Sequence, residues 1–314
     1  MVGVMKGRKL VRHFLDLADI SPEILDQMID QALKWKTELQ HNQQQHHVAQ
    51  GKELAMIFEK PSTRTRVSFE VGIRQLGGHS VLLDTQSSQL GRGESIADTA
   101  RLLSRYVDIM MLRCYAHSTI EELAAHATIP VINGLTDYSH PCQVMADIMT
   151  IKEHKHELAG LRVAWIGDGN NMLTSWIQAA VAYRCHLSIS TPVGYRPHST
   201  ILSWAEEKAP GLVSYDEDPV RAVFEADVVM TDTWVSMGDK DVDARMGAFM
   251  PYQVNSAMME KAKSDAIFLH CLPAHREEEV SSAVIDGHQS KVWDQAENRL
   301  HVQKAIMAWC LTSS

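Results

Sequence analysis

Residues 62–66, STRTR, put three hydroxyls and two guanidinium groups into five positions, directly after Pro61 and the apolar run Leu54-Ala55-Met56-Ile57-Phe58. The passage reads as strand, turn, helix. Pro61 suits a first helical turn, the hydroxyls of Ser62, Thr63 and Thr65 suit the turn itself, and Val67, Phe69, Val71 and Ile73 continue the apolar pattern. A helix that opens this way presents unpaired backbone N–H groups and the positive end of its dipole. With Arg64 and Arg66 in the same turn, the chemistry on offer is oxyanion binding, and phosphate suits it best. A solvated basic turn is the plainer alternative. The glycine- and lysine-containing loop of nucleoside triphosphate sites is absent, so no triphosphate is implied.

Further clusters carry polar chemistry. Arg113 closes DIMMLRC, an otherwise apolar run, and is either a surface ion pair or a second arm on an anion held by Arg64. HPCQ sets His140 and Gln143 three apart where Pro141 can start a helix, so both side chains can turn back on one small ligand; a capping or buried histidine is the alternative. Cys142 belongs to packing. GDGNN, 167–171, follows a strand and could open a dinucleotide fingerprint, which would make the protein an NAD-linked oxidoreductase. Against that, Met172 stands at the third glycine position, and the strand HLSIST, 186–191, ends without the acidic residue that grips a ribose. Asn170 and Asn171 instead offer amides suited to a carboxylate. DTWVSMGDKDVDARMGAF, 232–249, is punctuated by glycine and reads as a mobile lid with a buried start at Trp234, Val235 and Met237. HCLPAHREEE, 270–279, carries Cys271 at a strand end, as a nucleophile with His270 or His275 for base or simply as a buried thiol. His41, His46 and His47 lie in a polar stretch, as a metal site or as solvated surface.

The elements that must position these groups follow a regular rhythm. A helix capped at Ser21-Pro22-Glu23 runs to about Gln40. From Leu54 onward, short apolar runs alternate with stretches of helical period, the pattern of parallel sheet. Strands are expected at 54–58, 79–84, 108–112 and 130–133, then at 161–166, 187–190, 212–214, 227–231 and 266–269. Helices are expected near 62–76, 94–106, 118–127, 141–153 and 296–311. The polar clusters fall just after strands: 62–66 after the first, Gln89 after the second, Arg113 at the end of the third, 140–143 after the fourth, then 168–171, 232–238 and 270–273. Open parallel sheets bind ligands at the carboxyl ends of their strands. The expected fold is therefore α/β, two doubly wound parallel-sheet domains with the active site in the cleft between them. Residues 1–150 form one domain and 151–295 the other, with 296–314 a terminal helix packing back on the first.

Length and composition fit that plan. The 314 residues suggest two domains of about 150 each. A net charge of −9 with a pI near 6.0 argues against a nucleic-acid partner or an anionic membrane surface and favours small-molecule chemistry. The five cysteines are scattered without a CxxC pair, which indicates neither a disulfide framework nor a structural zinc site and fits a reducing cytoplasm. No run approaches the ~18 apolar residues of a membrane span, and the start lacks the pattern of a secretory signal.

Taken together, STRTR (62–66), SQLGRGES (88–95), HPCQ (140–143), GDGNN (167–171), DTWVSMG (232–238), HCLPAHR (270–276) and ENR (297–299) resemble the ornithine carbamoyltransferases, over Arg12 to Leu311. STRTR and HPxQ are shared with the aspartate enzymes of the same superfamily, whereas the SMG loop and HCLP belong to the ornithine branch. The short amino terminus and the His/Gln-rich 41–47 segment depart from the family's pattern, and neither touches the chemistry.

The resemblance implies transfer of a carbamoyl group from carbamoyl phosphate to L-ornithine, in arginine biosynthesis, with no metal or cofactor. It implies that Ser62, Thr63, Arg64 and Thr65, with Arg113, hold the phosphate, and that His140 and Gln143 hold the carbamoyl group. Arg299 and the Cys271-Leu272 backbone belong to the carbamoyl end. Gln89 would serve a neighbouring subunit's site in a homotrimer. Asn171, Asp232, Ser236 and Met237 would bind ornithine, Asn171 at its carboxylate and Asp232 at its α-ammonium. Arg64, Arg113, His140 and Cys271 are the implied catalytic residues, Cys271 as a polar partner near the amine. A paralogue that binds without turnover is a third reading, disfavoured because each motif is intact.

Overall fold

Runs such as Leu54–Phe58, apolar at every position, persist as strands where both sheet faces are covered, as in parallel sheets packed between helices. The computed structural model, which describes residues 11–41, 46–84, 93–235 and 242–312, has this arrangement twice. Backbone proximity groups Asp26–Asp137 and Leu300–Ser314 with the segment through Ile20 in one unit, and Ser21–Leu25 with Tyr138–Arg299 in the other.

The first half runs α1 (Pro22–Gln40), β1 (Glu53–Phe58), α2 (Thr63–Gln75), β2 (His79–Asp84), α3 (Ile96–Leu103), β3 (Ile109–Arg113), α4 (His117–His126) and β4 (Val131–Leu135). Its sheet has the order β2-β1-β3-β4 with parallel pairing throughout. Ala55, Ile57, Met110 and Leu112 from the two central strands meet Ile120 and Leu123 of α4 in the core. The edge strand β2 has no fully buried position. The order reverses between β1 and β3, the switch point at which such sheets hold ligands.

The chain continues through α5 (Pro141–Lys155), β5 (Arg162–Ile166), α6 (Asn171–Tyr183), β6 (His186–Ser190), α7 (Ser199–Lys208), β7 (Val213–Tyr215), α8 (Pro219–Val223) and β8 (Val228–Thr231). It ends with α9 (Val242–Phe249), α10 (Ser256–Met259), β9 (Ile267–His270), α11 (Ser282–Ile285) and α12 (Val292–Leu311). The second sheet is also parallel, ordered β7-β6-β5-β8-β9, and its switch point lies between β5 and β8. Positions 141–151 of α5 are all buried, so this helix is no amphipathic surface element.

Two expectations are corrected. The terminal helix begins at Val292 rather than near 296, because the Val292 side chain is buried in the core of the second unit. The stretch 232–249 is not loop throughout: its last turns form α9, which Gly247 and the acidic start obscured in the sequence. Trp234 at its beginning is buried and stacks on Phe249 at its end, ring centroids 5.8 Å apart, so aromatic packing holds the two ends of the segment together.

Candidate active site

In the first unit, Ser62 is the N-cap of α2. Its hydroxyl oxygen accepts the Thr65 N–H at 3.2 Å and lies 3.1 Å from the Thr65 hydroxyl. The helix therefore starts at Thr63, and Pro61 stands outside it. Thr65 is buried, Arg64 half-buried and Thr63 exposed, while Arg66 turns to an exposed contact with Glu70 at 3.8 Å. Of the two arginines in STRTR, Arg66 is thus drawn to the surface. Arg113 lies across from Phe58 at the adjoining strand end, and the Glu59 N–H donates to its carbonyl at 2.8 Å. The spacing predicted that Ser62–Thr65 and Arg113 stand at strand ends on one side of the sheet, and the order β2-β1-β3-β4 makes those two ends neighbours.

The turn between β1 and α2 is held by residues the motif reading did not single out. Lys60 pairs with Asp137 and stacks its ammonium over Tyr115, 4.1 Å from the ring centroid. Glu59 accepts the Tyr115 N–H at 2.8 Å. A helix start whose preceding turn is braced in this way holds its N–H groups in place, which would lower the cost of ordering them around an anion. In the His-rich stretch, His46 packs on Trp35 and bonds Glu38 at 2.9 Å.

In the second unit, His140 occupies the N-cap position of α5 ahead of Pro141, and its backbone N–H donates to Ser175 Oγ at 2.9 Å. Gln143 is buried one turn on. Its carbonyl oxygen accepts from Arg299 Nη1 of α12, and its amide nitrogen donates to Asp147 at 2.9 Å. Gln143 and Arg299, both expected at the carbamoyl end, are in direct contact.

Asp232 follows β8 and is buried. It accepts from Asn170 Nδ2 at 2.7 Å, from the Thr233 N–H at 2.8 Å and from the Cys271 thiol at 3.0 Å. Burial pushes the Cys271 thiol well above its ordinary range, and the Asp232 carboxylate beside it adds to the shift. Cys271 is a protonated donor, not a thiolate nucleophile. Nor are the histidines its base. His270 Nδ1 accepts the Leu272 N–H at 2.9 Å, so Nε2 carries the proton that faces Glu279 at 3.1 Å. His275 lies exposed, 3.6 Å from Glu278. Although Asp232, His270 and Cys271 bring one ligand atom each within 4.8 Å of one another, the His270 ring has no lone pair left for a metal. Leu272 itself is in the left-handed region, φ 57°, which turns its backbone at the end of β9.

The two asparagines of GDGNN divide their work. Asn170 caps α6 by accepting the Met172 and Leu173 N–H groups and also holds Asp232, while Asn171 opens the helix. The second glycine of this motif serves close packing: a Cβ on Gly169 would lie 2.4 Å from the Arg196 carbonyl carbon and the Pro197 nitrogen. That accounts for the glycine without a dinucleotide. Asp168 pairs with Arg245 of α9 at 2.7 Å, and Arg245 Nε also donates to the Trp234 carbonyl, tying α9 to both this loop and Trp234. Gln89, Ser236 and Met237 lie outside the described residues.

Residues absent from the sequence reading complete the site's frame. Asp147 accepts from Gln143, from Gln295 at 2.6 Å and from the Trp176 indole at 2.9 Å, and Gln295 accepts the His270 N–H at 2.9 Å. The one local signal was Asp147's place a single helical turn after Gln143.

Comparison with known proteins agrees with this frame. The family model described as aspartate/ornithine carbamoyltransferase, carbamoyl-P binding domain, matches residues 12–153, and that for the Asp/Orn binding domain matches 159–310. A protein of Nitrobacter winogradskyi named ornithine carbamoyltransferase is 54% identical over 303 residues, 96% of this chain and 98% of its own length. The solved ornithine carbamoyltransferase from Pyrococcus furiosus superposes with a TM-score of 0.92 at 48% identity, covering 96% of this chain and 98% of that one. The anabolic enzyme of the same name from Campylobacter jejuni gives 0.89 at 39%, covering 95% and 98%. With both domain models matched in order and relatives of this similarity along nearly its whole length, the chain belongs to the aspartate/ornithine carbamoyltransferase family.

Proposed function

We propose that the protein is an ornithine carbamoyltransferase, forming L-citrulline and phosphate from carbamoyl phosphate and L-ornithine. The observation that carries the reading is Asp232. It is a buried carboxylate whose hydrogen-bond partners among the described residues, Asn170, Thr233 and Cys271, are all uncharged. A buried charge with only neutral partners calls for an opposite charge, and the α-ammonium of an amino acid supplies one. The names of the relatives point the same way.

In this reading Ser62, Thr63, Arg64 and Thr65, with the α2 N–H groups and Arg113, hold the phosphate. His140, Gln143, Arg299 and the Cys271-Leu272 backbone hold the carbamoyl group. Asn171, Ser236 and Met237 complete the ornithine side with Asp232. The neutral δ-amine attacks the carbamoyl carbon, a C–N bond forms, and the carbonyl oxygen takes up negative charge. Arg113, His140 and Thr65 stabilise that oxyanion, a role in which losing one donor costs about 10²–10³ in rate. The carbonyl then reforms as the C–O bond to phosphorus-bound oxygen breaks, and the amine's proton leaves with phosphate or solvent. Phosphate is already a good leaving group, so the reaction needs no covalent enzyme intermediate.

The finer reading assigns carbamoyl phosphate to the domain of residues 1–150 and ornithine to that of 151–295. It has 296–314 pack on the first, supported by Met307 and Lys304 lying against Gly72 within the first unit. It extends to a homotrimer in which Gln89 serves the neighbouring site, supported by the exposed Val81 and Leu82 on the edge strand β2, a feature that natural sheets cover or protect. Mixing Arg64→Ala and Gln89→Ala chains that exchange subunits should then restore activity, and a dead, exchanging mixture would refute the shared site. The proposed setting is arginine biosynthesis in the cytoplasm; among the described residues no helix is long and apolar enough to cross a membrane. The deciding experiment measures citrulline from carbamoyl phosphate and ornithine. Its absence from folded protein would overturn the reading.

A further inference from the structure

Asp147 is buried on α5, and three donors from three directions meet it. Gln143 Nε2 and Gln295 Nε2 reach Oδ1 at 2.9 and 2.6 Å, and the Trp176 indole N–H reaches Oδ2 at 2.9 Å. The far ends of the two amides are equally constrained. Gln143 Oε1 meets an Arg299 guanidinium nitrogen, and Gln295 Oε1 meets the His270 backbone N–H, groups that can only donate. Both carbonyls must therefore face away from Asp147 and both NH₂ groups toward it. Only an acceptor at position 147 satisfies that arrangement.

We propose that Asp147 is a positioning residue for the carbamoyl end of the site, fixing both amides and, through them, Arg299 and the backbone at His270–Leu272. The inference rests on the reading of Gln143, Arg299 and Leu272 as carbamoyl-phosphate ligands. Its physical basis is that a carboxylate cannot donate. If position 147 presented a donor to either amide, that amide would have to flip and would turn its own NH₂ on Arg299 or on His270 N–H. The hydrogen bond that Leu272 N–H donates to His270 Nδ1 then carries the disturbance into the loop after β9. The charged and titratable groups facing Asp147 are Arg299 from α12 and Cys271 from that loop; α6 contributes the uncharged indole.

Asparagine tests the idea because it has one acceptor and one donor. With its oxygen toward the amides, its NH₂ meets the indole N–H; reversed, its NH₂ meets both amides. Trp176→Phe removes the first conflict, so the double variant Asp147→Asn/Trp176→Phe keeps the acceptor where the amides need it. Calorimetry of the purified, folded protein would compare carbamoyl phosphate with inorganic phosphate, alongside citrulline kinetics. Mismatching one buried donor is worth about ten- to a hundredfold. Asp147→Asn should weaken carbamoyl phosphate by that factor, leave inorganic phosphate unchanged and raise the KM for carbamoyl phosphate. Because the indole bond helps keep the Asp147 carboxyl ionised, the comparison is made at pH 8.5, where Trp176→Phe should stay near wild type and the double variant should recover most of the loss.

A folded Asp147→Asn with wild-type selectivity for carbamoyl phosphate over phosphate would overturn the proposal, as would equal loss for both ligands. Should Asp147→Asn alone not fold, the double variant still decides: selectivity like that of Trp176→Phe supports the proposal, and its loss refutes it. Wild type that binds carbamoyl phosphate but forms no citrulline would overturn the proposed transferase activity instead, because the selectivity is read without turnover.

Discussion

Cys271 Sγ lies 3.0 Å from Asp232 Oδ1, with the thiol as donor and the carboxylate as acceptor. The contact joins the end of β9 to the end of β8, neighbouring strands in the second sheet. Under the proposed assignment of Asp232 to the ornithine α-ammonium, the pair would divide the labour: the carboxylate would meet the ammonium, and the Cys271 thiol completes its hydrogen bonding without adding a charge.

The same contact sets the reactivity of the thiol. Burial raises its pKa and the carboxylate raises it further, so thiolate is scarce at pH 8. Alkylation of Cys271 by iodoacetamide should be at least ~10-fold slower than that of a free thiol of pKa about 8.5. Asp232→Asn should accelerate it by removing the second contribution. Peptide mass spectrometry over a time course reads both rates, and fast modification of wild type would contradict the donor role.

Substrate choice should follow from Asp232. Putrescine lacks the α-carboxylate and N-acetylornithine lacks the α-charge, and a buried polar group left unpaired discriminates by factors of up to about 10⁴. Ornithine should exceed each by at least ~100-fold in kcat/KM. Asp232→Asn should cut ornithine use to a similar degree while leaving carbamoyl phosphate affinity nearly intact. Comparable turnover of either analogue would remove the ornithine assignment and leave carbamoyl transfer standing.

At the N-terminus of α2, Arg64 should act as a fork as well as a charge. Lysine keeps the charge but cannot make two parallel hydrogen bonds to one oxyanion. Arg64→Lys should lower kcat at least ~100-fold, the scale of losing a transition-state donor. Near-normal steady-state kinetics would show that charge alone suffices there.

Acid should silence the enzyme before it unfolds it. Burial pushes the Asp147 carboxyl up to about 6 from 3.8, against the hydrogen bonds that favour its charged form. Between those values the folded chain binds a proton that the unfolded chain does not, so this group's contribution to stability grows as pH falls through 6 and is lost as pH rises through it. The exposed carboxylates Asp98, Asp265 and Asp286 have lowered pKa values, and their stabilisation is lost only at more acidic pH. One unit below its pKa a carboxyl is about one-tenth ionised. At pH 5 circular dichroism should therefore report a folded protein while citrulline formation has dropped. The ornithine amine also loses rate on acidification, so the control is Asp147→Asn/Trp176→Phe, whose profile should lack the step near pH 6. A step that persists in that variant would assign it to another group.

Much of this molecule was legible from local sequence. Ser62 four residues after Phe58, with Thr65 within reach of its hydroxyl, specifies a capped helix following a strand, because both the cap and the apolar run act over a few residues. The placement of STRTR and Arg113 at carboxyl ends of strands followed from the βα rhythm, since parallel strands put those ends on one side, whereas β1 and β3 being neighbours is decided by the folded sheet. The pairing of Asp232 with Asn170 and Cys271 was less accessible: each was singled out, but the hydrogen bonds among them depend on β8 lying between β5 and β9.

What only the tertiary structure decided is which polar groups are already spent. Asp147 and Gln295 stand 148 residues apart and meet at 2.6 Å. Before that meeting is known, Gln143 is an amide with two interchangeable ends; afterwards its NH₂ is committed inward and its carbonyl faces Arg299. His270, read from HCLP as a candidate base, turns out to brace Leu272 and Glu279, and α9 is helical in a stretch whose sequence reads as loop. Periodicity and caps are written in residues three or four apart, so sequence determined the elements and the ends at which chemistry gathers. Hydrogen-bond direction in a buried network depends on partners brought from distant segments, and the folded chain alone supplies them.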